Sequence, residues 1–283
     1  MTRATIRLPD EFARRVREIM ADGREPAAAR DAATVVLLRP AASGFEVYLL
    51  RRRASMAFAP GAHVFPGGSV DPRDADADVA WAGPDPAEWA RTLMPGSVGS
   101  AALARALICA AVRETFEESG VLLAGPTPGA VVADTRGDDW ETDRHALVDR
   151  SLSLAGLLQR RRLVLRSDLL RPWARWITPA MERRRFDTRF FAAALPGRQR
   201  TRHVGGEADE VVWLEPAAAI GAARKGEISL MPPTAVTLAE LSRHGSLAGV
   251  LAASGDMAPR QPEISVTADA AWLNIPDGLE YPL

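Results

Sequence analysis

Cysteine is almost absent from this chain: Cys109 stands alone among 283 residues. A single thiol excludes an internal disulfide framework and fits a reducing compartment, so a cytoplasmic location is expected. Lysine is equally scarce, Lys225 being the only one, and the positive charge is nearly all arginine. Arginine's planar fork suits phosphate oxygens, although a bias in codon composition accounts for the same excess. Neither sign of charge prevails: 35 basic against 36 acidic residues leave a net charge of −1. No global field therefore favours DNA, RNA or an anionic membrane. Long hydrophobic runs are missing too. The longest unbroken apolar stretch covers residues 106–112, far below the ~20 residues of a membrane-crossing helix. No secretory signal is expected, since MTRATIRLPDEF offers no apolar core.

What is present is ordinary for a folded domain: 47% hydrophobic and 25% charged residues. The length suits one large domain, or a domain of ~150 residues with sizeable additions. Residues 8–24 read as an amphipathic helix, with Phe12, Val16, Ile19 and Met20 on one stripe. Residues 32–39 and 45–52 read as two strands around a turn at 40–44. Their near-continuous apolar character predicts a sheet covered on both faces. Residues 56–70 form a loop, a short strand and a Gly-Gly turn. A short helix at 86–94 and a long one at 101–119, stopped by Gly120, follow. Beyond lie helices near 140–151 and 153–162, and a second block of strands near 173–177, 186–195 and 211–214. Helices near 216–224, 234–243 and 246–253 come next, and the Pro-rich tail 255–283 is expected to wrap the surface. Strands alternating with helices in this way suggest a mixed α/β sandwich.

The most informative stretch is RETFEESGV, residues 113–121. At about 100° per residue, Glu114, Glu117 and Glu118 share one sector of the helix, beside an apolar sector of Ile108, Ala111, Val112, Thr115 and Phe116. Carboxylates at this spacing repel one another, and near a helix C-terminus the dipole disfavours them further. Arg113 offsets part of that through an i, i+4 pair with Glu117. A hard divalent cation such as Mg²⁺ or Mn²⁺ would offset far more, because it gathers oxygen ligands. Taken alone, E-x-x-E-E reads as a solvated acidic face; the preceding FPGG, residues 65–68, makes the string far more specific.

FPGG and RETFEESG together resemble the two ends of the Nudix hydrolase signature, G-x5-E-x7-R-E-U-x-E-E-x-G-U. Three departures stand out. The G-x5-E position, counted from Gly68, falls on Asp74. Between Asp74 and Arg113 lie 38 residues, an insertion of about 31, and Thr115 replaces the usual aliphatic residue. A split signature of this kind resembles the coenzyme A diphosphatase subgroup, of peroxisomal type with bacterial relatives. Residues 46–68, 184–191 and 231–234 are similar to other parts of that subgroup, and the resemblance covers most of 30–245.

The resemblance implies an α/β/α sandwich with a mixed central sheet and helical insertions. It further implies an N-terminal helical extension over 1–29 and a Nudix domain over 30–245, with an insertion at about 75–105 lying over the site and a helical segment at about 138–165. A C-terminal helix and tail over 246–283 complete the expected organisation. The implied activity is metal-dependent hydrolysis of a nucleotide-derived diphosphate, with Mg²⁺ or Mn²⁺ as cofactor. Coenzyme A or an acyl-CoA is the first substrate expected; ADP-ribose, a dinucleotide or a diadenosine polyphosphate is the alternative. A non-catalytic ligand sensor of the same fold is the alternative of another class. No nucleic acid or membrane partner is expected, and a homodimer is compatible with the sequence.

Carried over residue by residue, the resemblance makes Glu117 and Glu118 metal ligands, joined by the Gly67 backbone carbonyl, and Glu114 a ligand or the general base. Arg113 would orient the carboxylates and Asp74 would support it. Gly67 and Gly68 let the backbone approach the ion, Gly68 also being a substrate-binding candidate, and Gly120 supplies a positive φ after the helix. Glu207 and Glu210 are candidates for a further carboxylate, with Glu207 preferred and ordinary loop acids as the alternative. Arg51, Arg52 and Arg53 are candidates for a substrate phosphate, with at least one of them read as surface charge at a strand end. The subgroup's coenzyme A pattern is met at Leu49, Leu50, Arg53, Ala54 and FPGG, but its loop is one residue short and the second arginine is missing near Ala57 and Phe58. His63 reads as a structural histidine and Cys109 as a small core residue. Trp81 and Trp89 read either as an aromatic lid or as packing within the insertion.

Overall fold

The protein is described by a computed structural model over residues 4–21, 25–56, 59–96, 99–202, 208–267 and 269–283. A short strand β1 (Thr5–Arg7) leads into helix α1 (Asp10–Ala21), whose buried side carries Ala13 and Val16 at helical spacing. Strands β2 (Arg30–Ala41) and β3 (Gly44–Arg52) form an antiparallel hairpin in which Leu38 faces Val47. Alternate residues of β2 enter two different cores, Ala33, Val35 and Leu37 on one face, Val36 and Leu38 on the other. That double burial is what a continuous apolar strand requires.

Strands β4 (Ala62–Val64) and β5 (Gly67–Ser69) flank Phe65-Pro66. The insertion supplies β6 (Trp81–Ala82) and α2 (Pro86–Leu93), the latter capped by the Asp85 side chain and opened by a proline at its first position. Next come α3 (Ala101–Ser119), β7 (Ala124–Gly125), α4 (Asp138–Val148), α5 (Leu154–Arg161) and β8 (Val164–Arg166). Strands β9 (Arg171–Ile177), β10 (Phe186–Ala194) and β11 (Ala208–Leu214) precede α6 (Pro216–Arg224), β12 (Ser229–Leu230), α7 (Pro232–Leu241) and α8 (Leu247–Ala252). The chain then forms β13 (Asp256–Arg260), β14 (Glu263–Val266) and β15 (Ala271–Asn274).

The central sheet runs β12-β4-β3-β2-β10-β9-β13, with β11 beside β3 and β5 beside β2. It is mixed: β2 and β10, β9 and β13, and β4 and β12 pair in parallel, the rest antiparallel. Helices α2, α3 and α5 cover one face through Leu93, Leu107 and Leu157; α6, α7 and α8 cover the other through Ile220, Leu238 and Val250. This is an α/β/α arrangement. Among the described residues no helix is long and apolar enough to cross a membrane.

Three expectations need correction. Residues 211–214 do not join the strands at 173–177 and 186–195; β11 pairs with β3, setting Val211 opposite Leu50. The tail does more than wrap the surface, because β13 extends the central sheet and β14 and β15 build a separate small sheet with β1. The insertion does not lie over the acidic cluster. It packs behind α3, where Trp89 is buried with its ring edge against Phe191. Trp81 donates its indole N–H to the Pro84 carbonyl and carries the Arg105 guanidinium over its ring. Both tryptophans are packing residues.

Candidate active site

The acidic cluster sits on α3, a helix begun by the Ser100 cap and ended by Gly120 in the left-handed conformation at φ +74°. Leu107, Ile108, Ala111, Val112 and Phe116 fix its buried face. Thr115, which replaces an aliphatic residue, is also fully buried; its hydroxyl donates to the Ala111 carbonyl at 2.7 Å, so no polar group is left unsatisfied. With that face fixed, Glu114, Glu117 and Glu118 all turn to the wall of one cleft.

Strand β5 forms the facing edge. Its pairing with β2 places Gly67 opposite Thr34 and Ser69 opposite Ala32, flanked by bonds from Val35 N–H to the Pro66 carbonyl and from Val70 N–H to the Asp31 carbonyl. In such a ladder the backbone groups of Gly67 and Ser69 point away from β2. They meet α3 there: Gly67 N–H donates to Glu118 Oε2 at 2.9 Å, and Ser69's carbonyl accepts from Arg113 Nη2 at 3.0 Å. The Gly67 carbonyl lies on the same outward edge. A Cβ at Gly68 would meet the Glu114 carboxylate, so any side chain there would displace that acid.

Arg113 organises the cluster. It is buried and held from behind by Asp74, whose two carboxylate oxygens each accept a bond at 3.0 Å. The shorter acid serves because the turn at Pro72–Ala75 brings it close; Asp74 also accepts from Asp71 N–H, while Asp71 caps the turn in return. On its other side Arg113 Nη1 donates to Glu114 Oε1 at 2.8 Å and to Glu117 Oε1 at 3.1 Å. Burial opposes the Arg113 charge, but the Asp74 bonds and the surrounding carboxylates outweigh it and hold the guanidinium firmly protonated. Burial pushes the carboxyls of Glu114 and Glu117 above the usual range, and Arg113 recovers only part of that shift. Among the described residues no three His, Cys, Asp or Glu side chains stand close enough to hold an ion without adjustment. Arg113 Nη1 lies between two of the acids, and Glu118 is turned to Gly67.

The cleft encloses about 1190 Å³. Of the residues singled out in the sequence, Gly67, Gly68, Arg113, Glu114, Glu117 and Glu118 come together on its walls, with Asp74 directly behind. Arg51 and Arg53 do not. The pleat of β3 sends Leu50 and Arg52 to the cleft and Arg51 to the opposite side, where it pairs with Asp209 at 2.7 Å and Glu210 at 3.0 Å. Arg53 is exposed and outside the cleft lining. Glu210 is thus engaged at the surface by Arg51, while Glu207 lies outside the described residues. His63 is buried in β4, where desolvation lowers its pKa and favours the neutral ring. Cys109 is buried in the core of α3.

Of the three consecutive arginine candidates Arg52 alone reaches the cleft, and sequence reasoning missed Arg144. Arg144 on α4 has a side chain only 4% exposed, pairs with Glu141 at 2.6 Å, and donates to the Glu117 backbone carbonyl at 2.9 Å. It thereby ties α4 to the C-terminal turn of α3 and sets a positive charge in the cleft lining. The one signal for it was Glu141 three residues before it on a helical pattern.

Known proteins resemble this chain in sequence and fold. A family model for the NUDT19 Nudix domain matches residues 94–243, more than half of the chain. The human protein named acyl-coenzyme A diphosphatase NUDT19 is 32% identical over 254 residues, a match covering 74% of this chain and 63% of that protein. The Gallus gallus protein of the same name is 28% identical over 288 residues, covering 84% of this chain and 73% of that one. The chain therefore spans less than two thirds of the human relative's length. A crystal structure of a NUDIX hydrolase from Alicyclobacillus acidocaldarius superposes with a TM-score of 0.67 at 27% identity, covering 81% of this chain and 98% of that chain. Signature, architecture and family match coincide, and the chain belongs to the Nudix family, in the group defined by the NUDT19 Nudix domain.

Proposed function

We propose that this protein is a metal-dependent diphosphatase that hydrolyses coenzyme A or an acyl-coenzyme A. The observation that carries this reading is the gathering of Glu114, Glu117 and Glu118 around Arg113 on one cleft wall, against the glycine edge of β5. The names of the human and Gallus gallus relatives support a coenzyme A ester over ADP-ribose or a dinucleotide. Three carboxylates kept at a cost in mutual repulsion support turnover over ligand sensing.

The donor set fits a divalent cation. Every side-chain donor is a carboxylate oxygen, and burial without sufficient counter-charge holds Glu114 and Glu117 toward their protonated forms. Glu114, Glu117 and Glu118 are the residues that would hold Mg²⁺ or Mn²⁺. Such an ion supplies neutralisation of phosphoryl oxygens and a water acidified for attack. The chain's own residues do the rest. Arg113, locked by Asp74, fixes the positions of Glu114 and Glu117. Arg144 and Arg52 place guanidinium charge beside the diphosphate, where arginine's fork suits phosphate oxygens. Water adds to one phosphorus and the bridging P–O bond breaks, giving a 4′-phosphopantetheine species and adenosine 3′,5′-bisphosphate.

Chromatography of products from a panel of diphosphates, with Mg²⁺ or Mn²⁺ present, tests the proposal. Coenzyme A or its thioesters should be cleaved to those two products. Glu118→Gln should lower kcat by at least about a hundredfold, while the melting temperature holds or rises. Tight binding of a nucleotide without cleavage of any panel member would replace the hydrolase by a sensor. Unchanged kcat in Glu118→Gln would remove the ligand assignment.

A further inference from the structure

At 1190 Å³ the cleft exceeds the few hundred to ~1000 Å³ typical of small-molecule sites, so the acidic face occupies only part of it. Another part is built by segments far apart in the chain. In the small sheet β1-β15-β14, Ile6 lies directly opposite Leu273, and Leu273 directly opposite Ile264. Residues in such register share a face, with Cβ atoms about 5 Å apart between neighbours. The three therefore form one apolar row, and all three line the cleft. Phe12 of α1, Ile177 at the end of β9 and Phe186 at the start of β10 line it as well.

These six side chains are half-buried, and none belongs to either of the two hydrophobic cores described above. An apolar wall excluded from both cores, yet continuous with a carboxylate and guanidinium face, matches a ligand that is polar at one end and hydrocarbon at the other. A partner protein would not need the wall to share a cavity with Glu114, Glu117 and Glu118.

We propose that the wall formed by Ile6, Leu273 and Ile264, with Phe12, Ile177 and Phe186, is a binding arm for the linear hydrocarbon chain of an acyl thioester whose diphosphate lies at the acidic face. The inference rests on the diphosphatase reading for the position of the diphosphate, but the arm can be tested without it. A fully buried methylene strengthens binding roughly fourfold, and a half-open groove captures a fraction of that for each carbon.

Titration calorimetry with pantetheine and with decanoyl-pantetheine, both lacking the diphosphate and used without metal, reads the arm directly. The full chain should bind the decanoyl form at least about tenfold more tightly. Leu273→Gln should shrink that ratio to about threefold or less, with far-UV circular dichroism as the check on folding. Ile264→Thr gives the same reading should the first variant misfold. Equal affinities for the two ligands in the unaltered protein overturn the proposal whatever the variants do. A steady-state comparison of coenzyme A with decanoyl-coenzyme A separates the two readings. Cleavage of both at equal kcat/KM removes the arm and leaves the diphosphatase standing. Chain-dependent binding without cleavage removes the diphosphatase and leaves the arm.

Discussion

Gly68 has space for a hydrogen and little else, and the atoms a methyl would meet are the tip of the Glu114 side chain. That tip can swing aside, so Gly68→Ala should lose about 1 kcal/mol of stability or less. On the role proposed for Glu114, the same swing displaces its carboxylate by an ångström or more and should lower kcat by about a hundredfold. Kinetics set beside a thermal melt would distinguish the two effects, and a variant with full activity would show that the carboxylate position is unimportant. Cys109 makes a second residue-level case. Burial pushes its thiol up to about 12, so the native protein should resist aromatic disulfide reagents at pH 8 and react fully only in denaturant. Rapid labelling of the native state would contradict its placement inside α3. At this scale the helix string 113–121 was legible because helical periodicity alone puts its three acids on one side. Arg144 was not, because the atom it grips is the main-chain carbonyl of Glu117, a group every residue has. Among the consecutive arginines 51–53, only the strand pleat decides which one reaches the cleft.

Among the elements, α2 shows what an insertion inside a signature can be. Its Trp89 is 4% exposed and meets Phe191 of β10 edge to face at 6.0 Å. Trp89→Ala should cost about 3–5 kcal/mol, measurable by denaturant melting, while kcat/KM of the folded fraction stays within about threefold. A large fall in kcat/KM with little loss of stability would restore the insertion to the role of a lid. The split signature implied that residues 75–105 were inserted, and a helical insertion over the site was the expectation. Docking direction depends on what α3 leaves unpacked on its far side, and this becomes visible only when both helices are placed. The pairing of β11 was hidden for a similar reason: a short apolar run such as VVWL fits any sheet edge, and the choice of β3 is tertiary. By contrast the hairpin of β2 and β3, the helices α2 and α3 and the glycine stop at residue 120 were all local, and local chemistry sufficed.

Across the whole molecule, the proposed metal site predicts a coupling of stability to metal and to pH. Burial raises the folded-state pKa of Glu114 and Glu117 above the unfolded value. The ion-free protein therefore carries a penalty that is absent below the unfolded carboxylate pKa of ~4.3 and is fully developed once the pH exceeds the raised values. A cation that binds the ionised pair removes that penalty, so its stabilising effect should grow with pH. Magnesium at about a hundred times its Kd should add about 2.7 kcal/mol, with a larger rise in melting temperature at pH 8 than at pH 5.5. The reverse order would show that the ion binds elsewhere. Molecular scale is also where the sequence was least informative about residues 255–283. Short, Pro-punctuated strands carry a weak pattern, and β14 and β15 acquire their meaning only by meeting residues 5–7 at the other end of the chain. One consequence follows from the guanidinium lodged among the acids. Arg113 gives the cluster a resident counter-charge, so the pocket assembles and persists without any divalent ion. Protein prepared in chelator should then resume work within the mixing time of an added ion, without a refolding lag.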